Sequence, residues 1–305
     1  MTQRVELPTA YPPEISGEPE RARWCCEQLE EGNILFFPEP PFEIPAEDMQ
    51  FLLTQEQSGA RHHKNIAYRP AEDRLTGYSA ERAEQVERLR GVMREYSQRV
   101  VRFTAGLLAP YAERWRLDFA SFRPQEERGR QNRLRARNDL LHVDSFPTRP
   151  SNGDRILRVF TNINPREPRE WVTGETLAGL AEPFGGDSGL PLPKRLSASH
   201  RAALRLARAA GLGDHFRPPY DRWMLRFHHY LKAHEEFQRT SPRSHWAFPP
   251  LSTWLAFTDL VSHAVLAGQF ALEQTFIVER QAMLLPEKAP VGVLERLAGE
   301  PLTLC

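Results

Sequence analysis

Cysteine is scarce in this chain: there are three in 305 residues, with Cys25 beside Cys26 and Cys305 at the far end. Adjacent cysteines make a poor disulfide framework, and three thiols so placed cannot close a zinc cluster. The chain is therefore expected to hold together by its core in a reducing compartment, the cytoplasm. Cys25 and Cys26 read as small buried helix residues. Net charge is absent as well, with 40 basic residues against 40 acidic ones. No basic tail is present, which argues against a nucleic-acid partner. No run approaches the roughly 18 apolar residues of a spanning helix. The N-terminal stretch offers Arg4, Glu6 and prolines where a secretory signal needs a basic and then an apolar segment, so neither a transmembrane segment nor a signal is expected. What remains, 26% charged and 40% hydrophobic residues, is a globular composition sufficient for one large domain or two small ones.

The informative residues are His142, Asp144 and His263. An H-x-D triplet alone is weak, so its setting has to carry the weight. Residues 132–142 (NRLRARNDLLH) are read as extended and charged, and Val143 to Pro147 as a turn, which puts His142 at a strand end and Asp144 just past it. From Thr253 to His263 (TWLAFTDLVSH) polar and apolar residues largely alternate as in a strand, so His263 is also a candidate strand-end residue. Two neutral imidazoles and one carboxylate hold Fe(II) on one triangular face and leave three positions open for a co-substrate and dioxygen. His263 taken alone reads equally well as an ordinary strand histidine. His228, His229 and His234 lie in a helical stretch off the i, i+4 ligand spacing, and no chemistry is assigned to them or to His245.

Along the chain, residues 1–20 are Pro-rich and extended. A helix is expected from Glu20 to Glu30, a strand over Asn33 to Phe37 and a second helix from Ala46 to Gln55. The strongest helical pattern covers 79–115, where Val86, Leu89, Met93, Tyr96, Val100, Phe103 and Leu107 recur at three- and four-residue steps. Strands follow from about residue 117, notably Arg155 to Ile163, Glu170 to Thr173, Leu251 to His263 and Ala271 to Val278. A Gly/Pro-rich loop from Gly185 to Pro193 and helices at about 198–211 and 219–239 interrupt them. This order fits an α+β protein: a double-stranded β-helix (jelly-roll, cupin-like) core with flanking and inserted helices. Residues 1–116 would form a mostly helical region packing on the barrel. Residues 117–305 would form the catalytic core, with a helical insertion at about 195–240.

The segments HVDSFPTRPSNGDRILRVFTNINP, REWVTGE, WLAFTDLVSH and GQFALEQTFIV, together with Lys64-Asn65-Ile66-Ala67-Tyr68, are similar to the Kdo hydroxylases of Gram-negative bacteria. The resemblance spans most of the chain. It implies an Fe(II)/2-oxoglutarate-dependent dioxygenase that uses O2 to hydroxylate C3 of a 3-deoxy-D-manno-oct-2-ulosonic acid (Kdo) residue on Kdo2-lipid A, releasing succinate and CO2. Residue by residue, it implies His142, Asp144 and His263 as iron ligands.

The cation for the distal carboxylate of 2-oxoglutarate is sought first at Arg169, with Arg158 and then Arg280 as alternatives. Asn162 and Asn138 are further candidates for the cofactor site, whereas Asn164 reads as turn chemistry before Pro165. An anionic glycolipid partner would suit the basic clusters His62-His63-Lys64 and Arg128, Arg130, Arg133, Arg135 and Arg137, which read equally well as a solvated face neutralised by Glu126, Glu127 and Asp139. Peripheral contact with the inner leaflet, through that basic surface or the apolar residues Met283 to Pro286, would bring a soluble enzyme to a lipid substrate. Two other readings stay open: a hydroxylase of the same chemistry on another small molecule or protein side chain, and a non-catalytic jelly-roll glycan-binding protein in which the H-x-D is incidental.

Overall fold

The computed structural model describes residues 2–58, 65–79, 82–184, 190–194, 197, 199–200, 202–203, 206 and 217–304. The expected helix at 198–211, most of the Gly185 to Pro193 loop, the His62-His63-Lys64 cluster and Cys305 lie outside the described residues, wholly or largely.

The strands are β1 (Arg4–Glu6), β2 (Ile34–Phe37), β3 (Glu56–Gln57), β4 (Ile66–Arg69), β5 (Arg74–Thr76), β6 (Tyr78–Ser79) and β7 (Trp115–Arg123). They continue with β8 (Arg155–Asn162), β9 (Arg169–Thr176), β10 (Ser244–Phe248), β11 (Thr253–Phe257), β12 (Val261–Ala267) and β13 (Ala271–Val278). The helices are α1 (Glu18–Glu30), α2 (Ala46–Leu53), α3 (Ala83–Leu107), α4 (Leu177–Phe184), α5 (Pro219–Ala233), α6 (Glu235–Thr240) and α7 (Pro290–Ala298).

An eight-stranded sheet in the order β1-β2-β11-β8-β13-β7-β4-β5 faces a three-stranded sheet in the order β10-β9-β12. This is the double-stranded β-helix. Residues 1–116 are not simply a helical layer on that barrel, because β1, β2, β4 and β5 belong to the large sheet itself.

Strand alternation divides the interior into two chemistries. On β8, Leu157 and Val159 face the main hydrophobic core beneath α1 and α3, whereas Phe160 faces the barrel lumen. The same division holds on β11, where Leu255 and Phe257 face the main core and Trp254 and Ala256 face the lumen. One part of the lumen is filled by an aromatic cluster of Phe36, Phe160, Trp171, Phe248 and Trp254. Its Phe248 and Trp254 rings are parallel at 4.0 Å. Large aromatics exclude water from that part of the barrel and leave the rest of the lumen to polar groups.

Helix α3 forms because its apolar residues recur on one face. Leu89, Met93, Tyr96 and Val100 are buried there, and Ser97 donates a 2.7 Å hydrogen bond to Gln274 on β13. It ends just before Ala109-Pro110, a dipeptide that disfavours further helix.

Two expected strands come out differently. Residues 132–142 form no ladder: they hold a single 3₁₀ turn, Leu134–Ala136, and His142 makes one isolated bridge to His263. The stretch Leu251 to His263 is two strands, since Thr258-Asp259-Leu260 turns the chain and Leu260 N closes onto Phe257 O at 3.1 Å. The Asp259 carboxylate fixes that turn by pairing with Arg155 at 2.8 Å. The expected helix 219–239 breaks at His234, whose Nδ1 accepts from Phe237 N and starts α6.

Candidate active site

His142 and His263 come together through backbone pairing: His142 N donates to His263 O at 3.1 Å, and His263 N to His142 O at 2.9 Å. Asp144 is pinned beside them by its backbone N–H, which donates to Thr258 O at 2.8 Å. Its carboxylate lies 3.7 Å from His142 Nε2 and 4.0 Å from His263 Nε2. Each imidazole has its tautomer set by a backbone carbonyl. His142 Nδ1 donates to Leu140 O at 2.7 Å, and His263 Nδ1 to Val261 O at 2.9 Å. Both Nε2 lone pairs are thereby kept for another partner, as metal-binding histidines require. Burial, the main influence, pushes both imidazoles below their ordinary pKa and keeps them neutral. Trp171 stacks on the His263 ring at 5.4 Å, fixing its plane.

A third histidine, His228, joins them, although its spacing within the helix points to no ligand role. His228 on α5 donates its Nδ1 proton to Val143 O at 2.7 Å, so its Nε2 is also kept free. The His142, Asp144 and His228 ligand atoms all lie within 4.8 Å of one another. Helix α5 is held over the 142–152 segment because Asp221 accepts from Ser151 N at 2.6 Å and Asn152 N at 2.9 Å. Burial, then the charge of Lys232 one turn along, pushes the His228 imidazole down to about 3.

Asp144 is held ionised. Burial alone would raise its carboxyl, but the Arg158 guanidinium 3.0 Å away overrides that and holds it well below the usual carboxylate range. Its Oδ2 is buried and forms no hydrogen bond. An ionised carboxylate oxygen held by an ion pair but by no aligned hydrogen bond, facing neutral imidazole lone pairs, is a donor set that fits a divalent iron.

Beside this cluster a narrow recess of about 40 Å³ is lined by Arg123, Asn138, Arg158, Arg169 and Trp171. Arg169 is 1% exposed. Its Nη1 donates to Gly268 O at 2.9 Å, Glu127 lies 3.6 Å away, and its Nε has no hydrogen bond. Burial, then repulsion from Arg123, pushes this guanidinium down to about 10. The register brings Arg169 against Gly268, where a Cβ would sit 2.9 Å from the Arg169 Cα and Cγ; with φ at +117°, only glycine suits the position.

Arg123 was not singled out from the sequence. Its guanidinium is tied to Glu273 at 2.7 Å and approaches Glu127 at 3.9 Å. Asn138 donates to Glu127 at 3.3 Å and lines the recess, although no strand places it there.

Asn162 is not brought into the site. Its amide donates to Phe248 O and Pro249 O at 3.1 Å each and to Glu167 O at 3.0 Å, which fastens the β8–β9 turn. Asn164 accepts from Arg166 N and Glu167 N at 3.0 Å each, as turn chemistry predicts. Arg280 reaches Asn152 O at 3.5 Å and lines neither the recess nor the cavity that opens above it.

That cavity measures about 570 Å³ and is walled by Arg69, Phe119, Arg149, His228 and Lys232 among others. Of the basic cluster, Arg135 faces it. Arg128, Arg130 and Arg137 are paired with Glu170, Glu127 and Asp139. The apolar segment from Met283 is not a free surface: Met283 is buried, and Leu284 N and Leu285 N donate to the buried Glu30 carboxylate. Among the described residues, no helix is long and apolar enough to cross a membrane.

The family model for 3-deoxy-D-manno-oct-2-ulosonic acid (Kdo) hydroxylase matches residues 14–301. The chain belongs to the Kdo hydroxylase family. The apo structure of the Kdo hydroxylase KdoO, a non-heme Fe(II) alpha-ketoglutarate-dependent dioxygenase, is 34% identical over 99% of this chain and 98% of that one, with a TM-score of 0.82. Similar values hold for KdoO in complex with alpha-ketoglutarate and Fe(III): 34% identity, 99% and 98% coverage, TM-score 0.81. KdoO in complex with succinate and Fe(III) is 34% identical over 98% and 97% of the two chains, with a TM-score of 0.81. No curated protein sequence matches the chain. A Kdo hydroxylase jelly roll thus accounts for the two facing sheets, the histidine and aspartate cluster and the cationic recess.

Proposed function

We propose that this Kdo hydroxylase oxidises C3 of a Kdo residue in Kdo2-lipid A, with Fe(II), 2-oxoglutarate and O2. The observation that carries the reading is the adjacency of two sites: a neutral-imidazole and carboxylate cluster, and a buried cationic recess that shares Asp144 and Arg158 with the large cavity.

His142, Asp144 and His263 are assigned as the iron ligands, because the bridge between the two histidine backbones and the Asp144 turn fix all three on the barrel itself. His228, carried by the insertion helix, would face the open positions. The 4.8 Å grouping of His142, Asp144 and His228 favours a second reading, with His228 as a ligand in place of His263. Bound iron supplies the oxidising chemistry together with 2-oxoglutarate and dioxygen, and succinate and CO2 are the co-products.

The chain's own part is binding and orientation. Arg158 keeps Asp144 ionised. Arg169 and Arg123 are assigned to the distal carboxylate of 2-oxoglutarate, with Asn138 and Trp171 shaping the recess. Arg158, Arg123 and Arg169 share Asp144, Glu273 and Glu127 as carboxylate partners, and Arg130 shares Glu127 as well. This cationic excess suits the dianion 2-oxoglutarate. The aromatic cluster excludes water from the neighbouring lumen. Arg135 and the other cations of the cavity suit an anionic glycolipid presented at the inner leaflet to a cytoplasmic enzyme.

The test is oxygen exposure of the anaerobic iron and 2-oxoglutarate complex with Kdo2-lipid A. Succinate coupled to a gain of one oxygen on Kdo is expected, and succinate with unmodified lipid would remove the substrate. Co(II) absorption titration separates the ligand sets: His263→Gln is expected to lose the metal and His228→Gln to keep it. The reverse result would exchange their roles.

A further inference from the structure

The large cavity holds, outside the cationic recess, a guanidinium with an unmet hydrogen-bonding need. Arg149 lies 4.1 Å from the Phe119 ring centroid and 4.5 Å from that of Phe146. Arg69 shares the Phe119 ring at 4.8 Å. Asp118 pairs with Arg149 at 2.9 Å. The Nε groups of both arginines are buried without a hydrogen-bond partner. Burial pushes the Arg149 guanidinium below its ordinary value, and Arg158 and Arg69 add to the effect against the opposing charge of Asp118. Each guanidinium has one carboxylate partner, Asp118 for Arg149 and Glu72 for Arg69, and the unused Nε groups leave capacity for a further anion.

The position relative to the metal cluster narrows which anion. The Phe146 ring that carries Arg149 lies 5.7 Å from the Arg158 guanidinium, which touches Asp144 at 3.0 Å. Arg149 and Asp144 also line a common small recess. An anion on Arg149 would therefore sit about one aromatic ring from the metal cluster. Arg149 does not line the cationic recess assigned to 2-oxoglutarate. In a 3-deoxy-2-ulosonic acid the carboxyl carbon is two bonds from C3, so its carboxylate must lie close to the metal whenever C3 does. The phosphates of lipid A lie beyond the glycosidic linkage. A planar guanidinium fork stacked on aromatic rings suits a carboxylate in two-point contact, which a lysine would not match.

We propose that Arg149, stacked on Phe119 and Phe146, receives the carboxylate of the sugar acid, selecting it over neutral sugars and orienting C3 towards the metal cluster. This rests on the Kdo C3 reading above.

The experiment compares iron-loaded wild type with Arg149→Gln and Arg149→Lys on Kdo2-lipid A and on the same lipid with its Kdo carboxyls converted to carboxamides. For Arg149→Gln on the native lipid, KM is expected to rise roughly 10- to 100-fold, the scale of a lost charge-assisted contact. More succinate should form per lipid hydroxylated, and KM for 2-oxoglutarate should not change. Wild type should lose a similar factor on the carboxamide, and Arg149→Gln should lose little more on it. Arg149→Lys should recover part of the loss.

A rise in KM from wild type to Arg149→Gln that is as large on the carboxamide as on the native lipid would overturn the assignment, as would a rise in KM for 2-oxoglutarate. A penalty abolished by removing the lipid A phosphates would assign Arg149 to phosphate instead and overturn it too. Wild type that forms succinate but oxidises no lipid would remove the substrate reading and this inference with it, an outcome distinct from the others. The carboxamide arm on wild type tests the assignment even if the variants fold poorly.

Discussion

Two buried arginine–aspartate pairs stand three residues apart on β8, and they do opposite things. Arg155 and Asp259 are 0% and 2% exposed, closed by hydrogen bonds of 2.8 and 3.3 Å, with the Arg155 guanidinium 4.0 Å over the Phe257 ring. Arg158 and Asp144, 13% and 12% exposed, are 3.0 Å apart, but neither Arg158 Nε nor Asp144 Oδ2 has a hydrogen bond. Strand alternation sends the first pair towards the helix-covered core and the second into the lumen. The first pair is complete and fixes a turn. The second is incomplete and keeps a carboxylate charged for a ligand yet to arrive. The same two residue types therefore serve structure on one face of a strand and chemistry on the other, and what separates them is whether the hydrogen-bonding capacity of the pair is used up.

Replacing the aspartates separates the two pairs most strongly. Asp144→Asn is expected to abolish turnover and Co(II) binding while lowering the urea midpoint of the metal-free protein much less than Asp259→Asn does, because Arg158 keeps its 2.7 Å hydrogen bond to Glu273. A large fall in that midpoint would make Asp144 structural and erase the contrast. Asp259→Asn should do the reverse, costing about 3–5 kcal/mol in urea unfolding through the stranded Arg155 charge, while the protein that stays folded keeps its KM for 2-oxoglutarate.

In the recess, Arg169→Gln should raise the 2-oxoglutarate KM roughly 10- to 100-fold. An unchanged KM would move the assignment to Arg123 or Arg158. Gly268→Ala should act in the same direction but more weakly, together with a stability loss on the order of 1 kcal/mol, because its new methyl group would displace Arg169.

The smallest effect concerns acid. Burial would raise the Glu273 carboxyl, but Arg158 and Arg123 hold it below its ordinary range. Its contribution is present above the unfolded value of about 4.3 and is lost as pH falls through the lower folded value. Glu273→Gln should therefore flatten the stability profile of the metal-free protein below about pH 4.3, as read by thermal melting across pH.

Local patterns made much of this legible from the chain. The strand Ala271–Val278 and the face of α3 follow from alternation and helical spacing, and the H-x-D triplet pointed to residues that the fold does gather. His228 was not legible, because what aims it at Asp144 is a contact between Asp221 and the backbone of Ser151 and Asn152, some 70 residues away. No spacing within α5 encodes that contact. Arg123 was hidden for a related reason. An arginine ending a strand looks solvated until β13 brings Glu273 alongside it. Asn162 misled because a strand-end amide serves a turn as readily as a ligand, and three carbonyls had already claimed it.

The pairing of β2 with β11 has a consequence for how the chain is made. Ile34–Phe37 finds its antiparallel neighbour only in Thr253–Phe257, and β7 finds β13 only at the end of the barrel. During synthesis β2, flanked early by β1, must wait more than two hundred residues for its antiparallel partner, with one edge unpaired and Ile34 and Phe36 without the aromatic residues that cover them in the lumen until then. Such remote pairings make for slow closure and a long exposed interval. For the newborn chain the hazard lies in that early apolar strand, far in sequence from any residue that touches iron.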